Sequence, residues 1–283
     1  MKLFNSSRLT DRRKGFSQIE ELKKADSKTL VIHYSCESFF NSQGRTPRVT
    51  SIAVKNRGNG TSIIFSIHLM AQIQKKSLVN ISDADLDIIE KEMLKEYFDF
   101  IKRHSTYKWV HWNMRNASYG FEAISNRYRI LGGTPKSIED QFKYDLPEIL
   151  GHIYTYHFEK HKKPTKGQLL NLTIRNGNTT RDALTGEDEA LAFDQKNFLK
   201  LHMSTMRKVE MVDRLLVLEE KRQLKVAVSI VRSCGLTPSG IIEIVRSNWL
   251  LFTVWSVLMA ILGMALEPVI QHYFGTDTLM KTL

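Results

Sequence analysis

Cysteine is nearly absent. The 283 residues contain two, Cys36 and Cys234, too few for a disulfide framework or a four-cysteine zinc site. The opening stretch, MKLFNSSRLTDRRKG, lacks the apolar segment that a secretory leader requires. No Gly-Lys-Ser/Thr follows the glycine-rich link Asn56-Arg57-Gly58-Asn59-Gly60. Its Asn-Gly therefore reads as a hairpin turn and not as a phosphate cradle. No repeat period is present. The mean hydropathy is negative, which excludes a multi-span membrane protein. With 25% charged and 42% hydrophobic residues, the composition also excludes wholesale disorder.

What is present is an excess of positive charge and one long apolar run. The formal net charge is +11, which points to an anionic partner, either nucleic acid or lipid. From Ser247 to Leu266 no residue is charged, and ~20 apolar residues suffice to cross ~30 Å of hydrocarbon. A helix buried in a soluble protein would show a polar stripe; this run has none. Trp249 at one end and His272 and Tyr273 at the other resemble interfacial anchors. Lys221, Arg222, Lys225, Arg232 and Arg246 precede the run and Lys281 follows it. That bias, together with the missing leader, predicts a single-pass membrane protein with its N-terminal part in the cytoplasm. Beyond position 246 the chain carries Glu267, Asp277 and Lys281, a net of −1, so residues 1–246 carry +12.

Periodicity places the elements. TLVIHYSC (29–36), RVTSIAVK (48–55) and TSIIFSIHL (61–69) read as strands. Ser82-Asp83-Ala84-Asp85 opens a helix in the manner of a capping box. Leu86, Ile89, Met93, Tyr97 and Phe100 give that helix an apolar face up to about His104. YKWVHW (107–112) reads as a fourth strand, and 119–131 and 145–158 read as helices. Residues 187–232 favour one long helix or a helical hairpin. The divisions expected are a basic N-terminal arm (1–28), an α/β domain (29–186), a helical segment (187–246), a transmembrane helix (247–270) and a short tail (271–283). The expected fold is a mixed sheet with flanking helices.

Several of these fragments form motifs. Ser35-Cys36-Glu37 ends the first strand. Trp109-Val110-His111-Trp112-Asn113 lies on the fourth strand, ahead of Tyr119-Gly120-Phe121-Glu122. Asp182-Ala183-Leu184 and Glu187-Asp188-Glu189-Ala190 come late. In order and motif position, residues 29–205 resemble the DnaQ-like 3′–5′ exonucleases of the ribonuclease H-like fold. In that family the first strand ends in Asp-x-Glu, the fourth leads into His-Asn-x-x-Phe-Asp, and a late helix supplies His-x-x-x-x-Asp or a tyrosine variant. The resemblance implies a ribonuclease H-like fold and a site that holds Mg²⁺ or Mn²⁺. Glu37 and Glu189 would be metal ligands, and Glu122 and Asp188 further catalytic carboxylates. The chain departs from the pattern in three places. Ser35 stands for the first Asp, the second-motif Asp falls near Gly120, and no His or Tyr precedes the last acids at the family spacing.

Two ions that clamp the attacking and leaving oxygens need several converging carboxylates. Three readings therefore remain open: a membrane-anchored metal-dependent exonuclease, a retained fold that binds nucleic acid or protein without cleaving, and a membrane-associated interaction or defence factor. In the interaction reading, the 187–232 helix would oligomerise the chain. His111 and Asn113 are expected to share a strand face beside the substrate, whereas Trp109 and Trp112 face opposite sides. The basic run from His157 to Lys166, with Lys162 and Lys163, would contact phosphates or anionic headgroups. His157 and His161 have metal-competent spacing if helical. Cys36 with His33 or His111 could form a nucleophile and base, although a cysteine is usually a buried apolar residue.

Overall fold

A computed structural model of the chain describes residues 7–38, 46–115, 119–162, 164–235, 238–247 and 249–274. In chain order these form α1 (Ser7–Lys24), β1 (Thr29–Cys36), β2 (Val49–Asn56), β3 (Ser62–Ser66), α2 (Ile67–Ile73), α3 (Asp83–Arg103), β4 (Lys108–His111), α4 (Phe121–Ile130) and β5 (Lys143–Asp145). There follow α5 (Leu146–Tyr154), α6 (Gln168–Arg175), α7 (Gly186–Asp194), α8 (Phe198–Glu220), α9 (Ile230–Cys234), α10 (Pro238–Ser247) and α11 (Trp249–Phe274). The chain divides into two compact units, one of residues 11–228 and one made of 1–10 with 229–283.

The larger unit is built on a five-stranded mixed sheet in the order β3-β2-β1-β4-β5. β2 runs antiparallel to both β1 and β3. β4 is parallel to β1 and β5 is parallel to β4. β1 is central, and its first seven residues are buried. Its alternating side chains feed two separate cores. Leu30, Ile32 and Tyr34 join Ile89, Met93, Tyr97 and Trp109 on the α3 side. Val31 joins Trp112, Ile149, Val212 and Leu215 on the side of α5 and α8. Trp109 and Trp112 thus lie in opposite cores. On the α3 side, Glu90 is fully buried. It is neutralised by Arg48 and Arg127 at 3.1 and 2.7 Å and accepts the Val49 N–H at 2.7 Å.

Several elements differ from the periodicity. The strand expected over 61–69 ends at Ser66, whose Oγ accepts the Leu69 N–H and caps α2. The helix expected over 145–158 stops at Tyr154, because Thr155 takes φ +92. Of the two alternatives expected over 187–232, one long helix or a helical hairpin, the single helix is excluded: Lys196 turns at φ +54 between α7 and α8, Asn197 caps α8 by accepting the Lys200 N–H, and α9 begins at Ile230. The N-terminal arm is helical over Ser7–Lys24, and Ile19 and Leu22 are fully buried. Their spacing of three was the signal of a packed face.

In the smaller unit, the Arg8 Nε–H donates to the Ser233 carbonyl at 2.7 Å. Within α11, Trp249–Ile270 is an apolar helical segment of 22 residues, all of them exposed. At ~1.5 Å per residue it reaches ~33 Å, enough to cross a bilayer. Among the described residues it is the one helix long and apolar enough to do so.

Candidate functional site

β1 delivers His33 and Ser35 to the α8 side, and its pairing with β2 shifts register between Ser35 and Cys36. A cavity of about 490 Å³ opens there. Ser35 reaches it from β1, Glu37 from the residue that follows β1, Asn113 from the turn after β4, and Glu187 and Glu189 from the start of α7. Lys208 reaches it from α8, and Leu169 and Leu170 from α6.

Glu189 is the best-held carboxylate in the cavity. Its Oε1 accepts from the Ser35 hydroxyl at 2.9 Å and the Ser204 hydroxyl at 2.8 Å. The Lys208 ammonium pairs with the same oxygen at 2.7 Å. Behind Ser35 a chain of hydroxyls runs inward. The single Thr205 hydroxyl proton is shared between Ser35 Oγ at 2.8 Å and the Leu201 carbonyl at 2.9 Å, and Ser51 lies 2.5 Å from Thr205. Ser204, Thr205 and Lys208 occupy one face of α8 at helical spacing, which aims all three at the end of β1. Sequence reasoning did not single them out. The signal was a polar break in an otherwise apolar stripe, between Leu201 and Val209.

Glu37 is half-buried, and its carboxylate accepts the Arg48 N–H at 3.2 Å. Lys166 and Glu187 form a second ion pair at 2.5 Å on the rim. Each of these two lysines therefore balances one glutamate. That donor set does not fit a divalent cation. Such a cation needs multiple oxygen ligands, for Mg²⁺ at ~2.0–2.1 Å, and Oε1 of Glu189 is already saturated by an ammonium and two hydroxyls. Among the described residues no three His, Cys, Asp or Glu side chains gather into a metal-competent group.

The remaining predicted site residues lie elsewhere. Asp188 forms the capping box of α7: its carboxylate accepts the Thr185 hydroxyl at 2.7 Å, and its N–H donates to Thr185 Oγ1. Glu122 is exposed and paired with Arg129 at 2.9 Å. It lines a different cavity of about 400 Å³ with His111, Arg115, Lys143 and Asp145. Gly120, where the second-motif acid would fall, has φ +142, and a Cβ there would meet the Met114 carbonyl oxygen at 2.0 Å. Only glycine fits, so no carboxylate can stand at that position.

His111 and Asn113 do not share a face. β4 ends at His111 and Asn113 turns to φ +56, which breaks the strand alternation. Asn113 lines the Glu189 cavity and His111 the other. The turn is fixed by the Asn113 N–H, which donates to Asp145 Oδ1 at 2.9 Å. Burial raises the Asp145 pKa to about 6 despite that N–H and the nearby Arg115. Burial, reinforced by Arg115 and Lys143, drops that of His111 to about 3.

Burial and the neighbouring Glu189 push the Cys36 thiol up to about 12. A raised thiol pKa works against the nucleophile reading, since attack requires a thiolate. His33 is held neutral, first by burial and then by Lys208. Its Nδ1 is buried without a hydrogen-bond partner among the described residues.

Lys162 is exposed on the loop between α5 and α6, and Lys163 lies outside the described residues. His157 and His161 sit on this loop after α5 has ended, so the helical spacing that would pair them is absent. The loop is pinned by the buried Asn171. Its Nδ2 donates to the Lys160 and Thr165 carbonyls at 2.7 and 3.0 Å, and its Oδ1 accepts the Thr165 N–H at 2.8 Å. This brings His161 and Lys166 to the cavity.

No family model matches the chain, and no curated protein matches it.

Proposed function

We propose that residues 11–228 form a ribonuclease H-like domain of the DnaQ type, held at a membrane by α11, that binds the end of a single-stranded nucleic acid without cleaving it. The mixed sheet with flanking helices that the resemblance leads one to expect is present, with the first three strands antiparallel and β4 and β5 parallel to β1, and it supports that reading. The function rests on one observation: at the end of β1, where that resemblance puts metal ligands, the Glu189 carboxylate carries Lys208 and two hydroxyls. Cleavage would need a metal that this donor set does not fit, whereas binding needs cations and a surface for a base. Lys166, Lys208 and the pinned basic loop supply the cations. Tyr119, Leu169, Leu170 and Leu184 line the same cavity as an apolar wall on which a base can pack. The N-side of α11, with its excess of lysine and arginine, is placed in the cytoplasm.

The test uses the full chain in detergent with fluorescent single-stranded DNA and RNA of about a dozen nucleotides. Binding is expected by anisotropy and should weaken steeply between low and high salt, since phosphate contacts release counterions. No shortening of the strand is expected in Mg²⁺ or Mn²⁺. Cleavage that disappears in Glu37→Gln would restore the exonuclease. No binding at low salt would overturn the nucleic-acid reading altogether.

A further inference from the structure

We infer that the Lys208 ammonium takes the place of a divalent metal ion in this cavity, so that a nucleic-acid phosphate is held there by a fixed cation and not by a bound metal. The inference rests on the nucleic-acid reading for its ligand and on the DnaQ-like resemblance for the metal that is replaced, while the seat of the ammonium is read from geometry. Three donors converge on one oxygen of Glu189, from Ser35, Ser204 and Lys208, at 2.9, 2.8 and 2.7 Å. The Ser35 hydroxyl is itself oriented from behind by Thr205 at 2.8 Å. A metal reaching that oxygen would have to displace an ammonium and reorient two hydroxyls, one of them braced by a buried relay.

The ammonium is well placed to do the metal's work on an anion. Its side chain is 10% exposed and opens onto the cavity. Glu189, its ion-pair partner among the described residues, takes one of its three donors. His33, 6% exposed, lines the same cavity with an unpartnered Nδ1. A buried polar atom without a partner is costly, and a terminal sugar hydroxyl or phosphate oxygen beside Lys208 would satisfy it. Lysine is known as a point-charge phosphate binder, and here the charge is fixed by the Ser35–Glu189–Ser204 cradle.

Two measurements on the full chain in detergent decide the matter. The first titrates Mn²⁺ alone, followed by electron paramagnetic resonance, into the wild type and into the double variant Ser35→Asp with Lys208→Ser. The wild type is expected to take up no Mn²⁺ that Glu37→Gln removes, and the double variant to gain a site that Glu37→Gln abolishes. The second measures binding of a labelled single strand in EDTA and in Mg²⁺. Equal affinity in both is expected. Lys208→Ala should lose about tenfold or more, and Lys208→Arg should keep most of the affinity, a loss of one charge-assisted contact. A wild-type Mn²⁺ site that depends on Glu37, or strand binding lost in EDTA, would overturn the inference. Should the strand fail to bind at all, the nucleic-acid reading falls, while the Mn²⁺ titration still decides whether Lys208 replaces a metal. Retained binding in Lys208→Arg guards against a Lys208→Ala variant that merely misfolds.

Discussion

Replacing Glu219 by glutamine should stabilise the protein at neutral and alkaline pH and not at acid pH. Glu219 lies on the inner face of α8 with no exposed surface. The Tyr154 hydroxyl donates to its Oε2 at 2.8 Å, and Arg222 lies 3.5 Å from its Oε1. Burial outweighs the hydroxyl, Arg222 and Arg12, and raises the pKa from 4.5 to about 7. The folded state therefore holds a proton that the unfolded chain gives up. Stability from this group is complete below about pH 4.5 and is lost as pH rises through about 7. Over that window the loss is about 3 kcal/mol at ~1.36 kcal/mol per unit. Glutamine keeps an acceptor for Tyr154 but cannot ionise, so the variant should not suffer this loss. At ~2–4 °C per kcal/mol for a unit of this size, the Tm of Glu219→Gln relative to wild type should rise by roughly 6–12 °C between pH 4.5 and pH 8. His33 and His111, whose lowered pKa values act in the opposite sense, cancel in that difference. Thermal unfolding followed by tryptophan fluorescence, at fixed detergent and salt, is the assay. A Tm difference that stays flat across the range would show that Glu219 is ionised in the folded state and refute the reasoning.

Gly120→Ala places a Cβ 2.0 Å from the Met114 carbonyl oxygen at φ +142, so it should lower Tm sharply or abolish soluble expression; a Tm within ~2 °C of wild type would refute the close approach. Arg127→Met leaves the buried Glu90 with Arg48 and one backbone N–H and should cost about 3–5 kcal/mol in denaturant unfolding, whereas a change under ~1 kcal/mol would mean that water reaches Glu90. Removing residues 249–283 should move the protein from the alkaline-carbonate-resistant membrane fraction to the soluble fraction; full-length protein released by carbonate would show that α11 does not span.

The core was far more legible than the cavity. Leu86, Ile89, Met93, Tyr97 and Phe100 announce the buried face of α3 because a 3.6-residue period survives in any single sequence. The opening strands were legible from their β-branched runs. β5 was not, because three residues, Lys143–Asp145, carry no period. α6 was missed because its buried polar positions, Asn171 and Thr173, mask its apolar stripe. Within the site, Glu37 was found by motif position, and Glu189, one of the substitute acids considered beside Glu122 and Asp188, lines the same cavity. Glu122 and Asp188 were chosen by proximity in sequence. Local demands decide their places: Asp188 satisfies the first turn of its own helix, and Glu122 faces Arg129. His111 and Asn113 were separated by one left-handed residue, which strand alternation cannot foresee.

Lys208 and Ser35 lie 173 positions apart in the chain, and neither is unusual alone. A serine at a strand end and a lysine on a long helix are both ordinary surface residues until the fold brings them to the same carboxylate oxygen. Together they make one coherent electrostatic change. In the resembled enzymes the position of Ser35 is a carboxylate. Exchanging it for a hydroxyl removes one negative charge, and the ammonium of Lys208 adds one positive charge. The sum is the charge of a single divalent cation, supplied permanently by the protein. The negative charge of Glu189 is then matched without any ion from solution. On this reading the missing first Asp is half of a replacement whose other half sits on α8, where the motif pattern has no position for it.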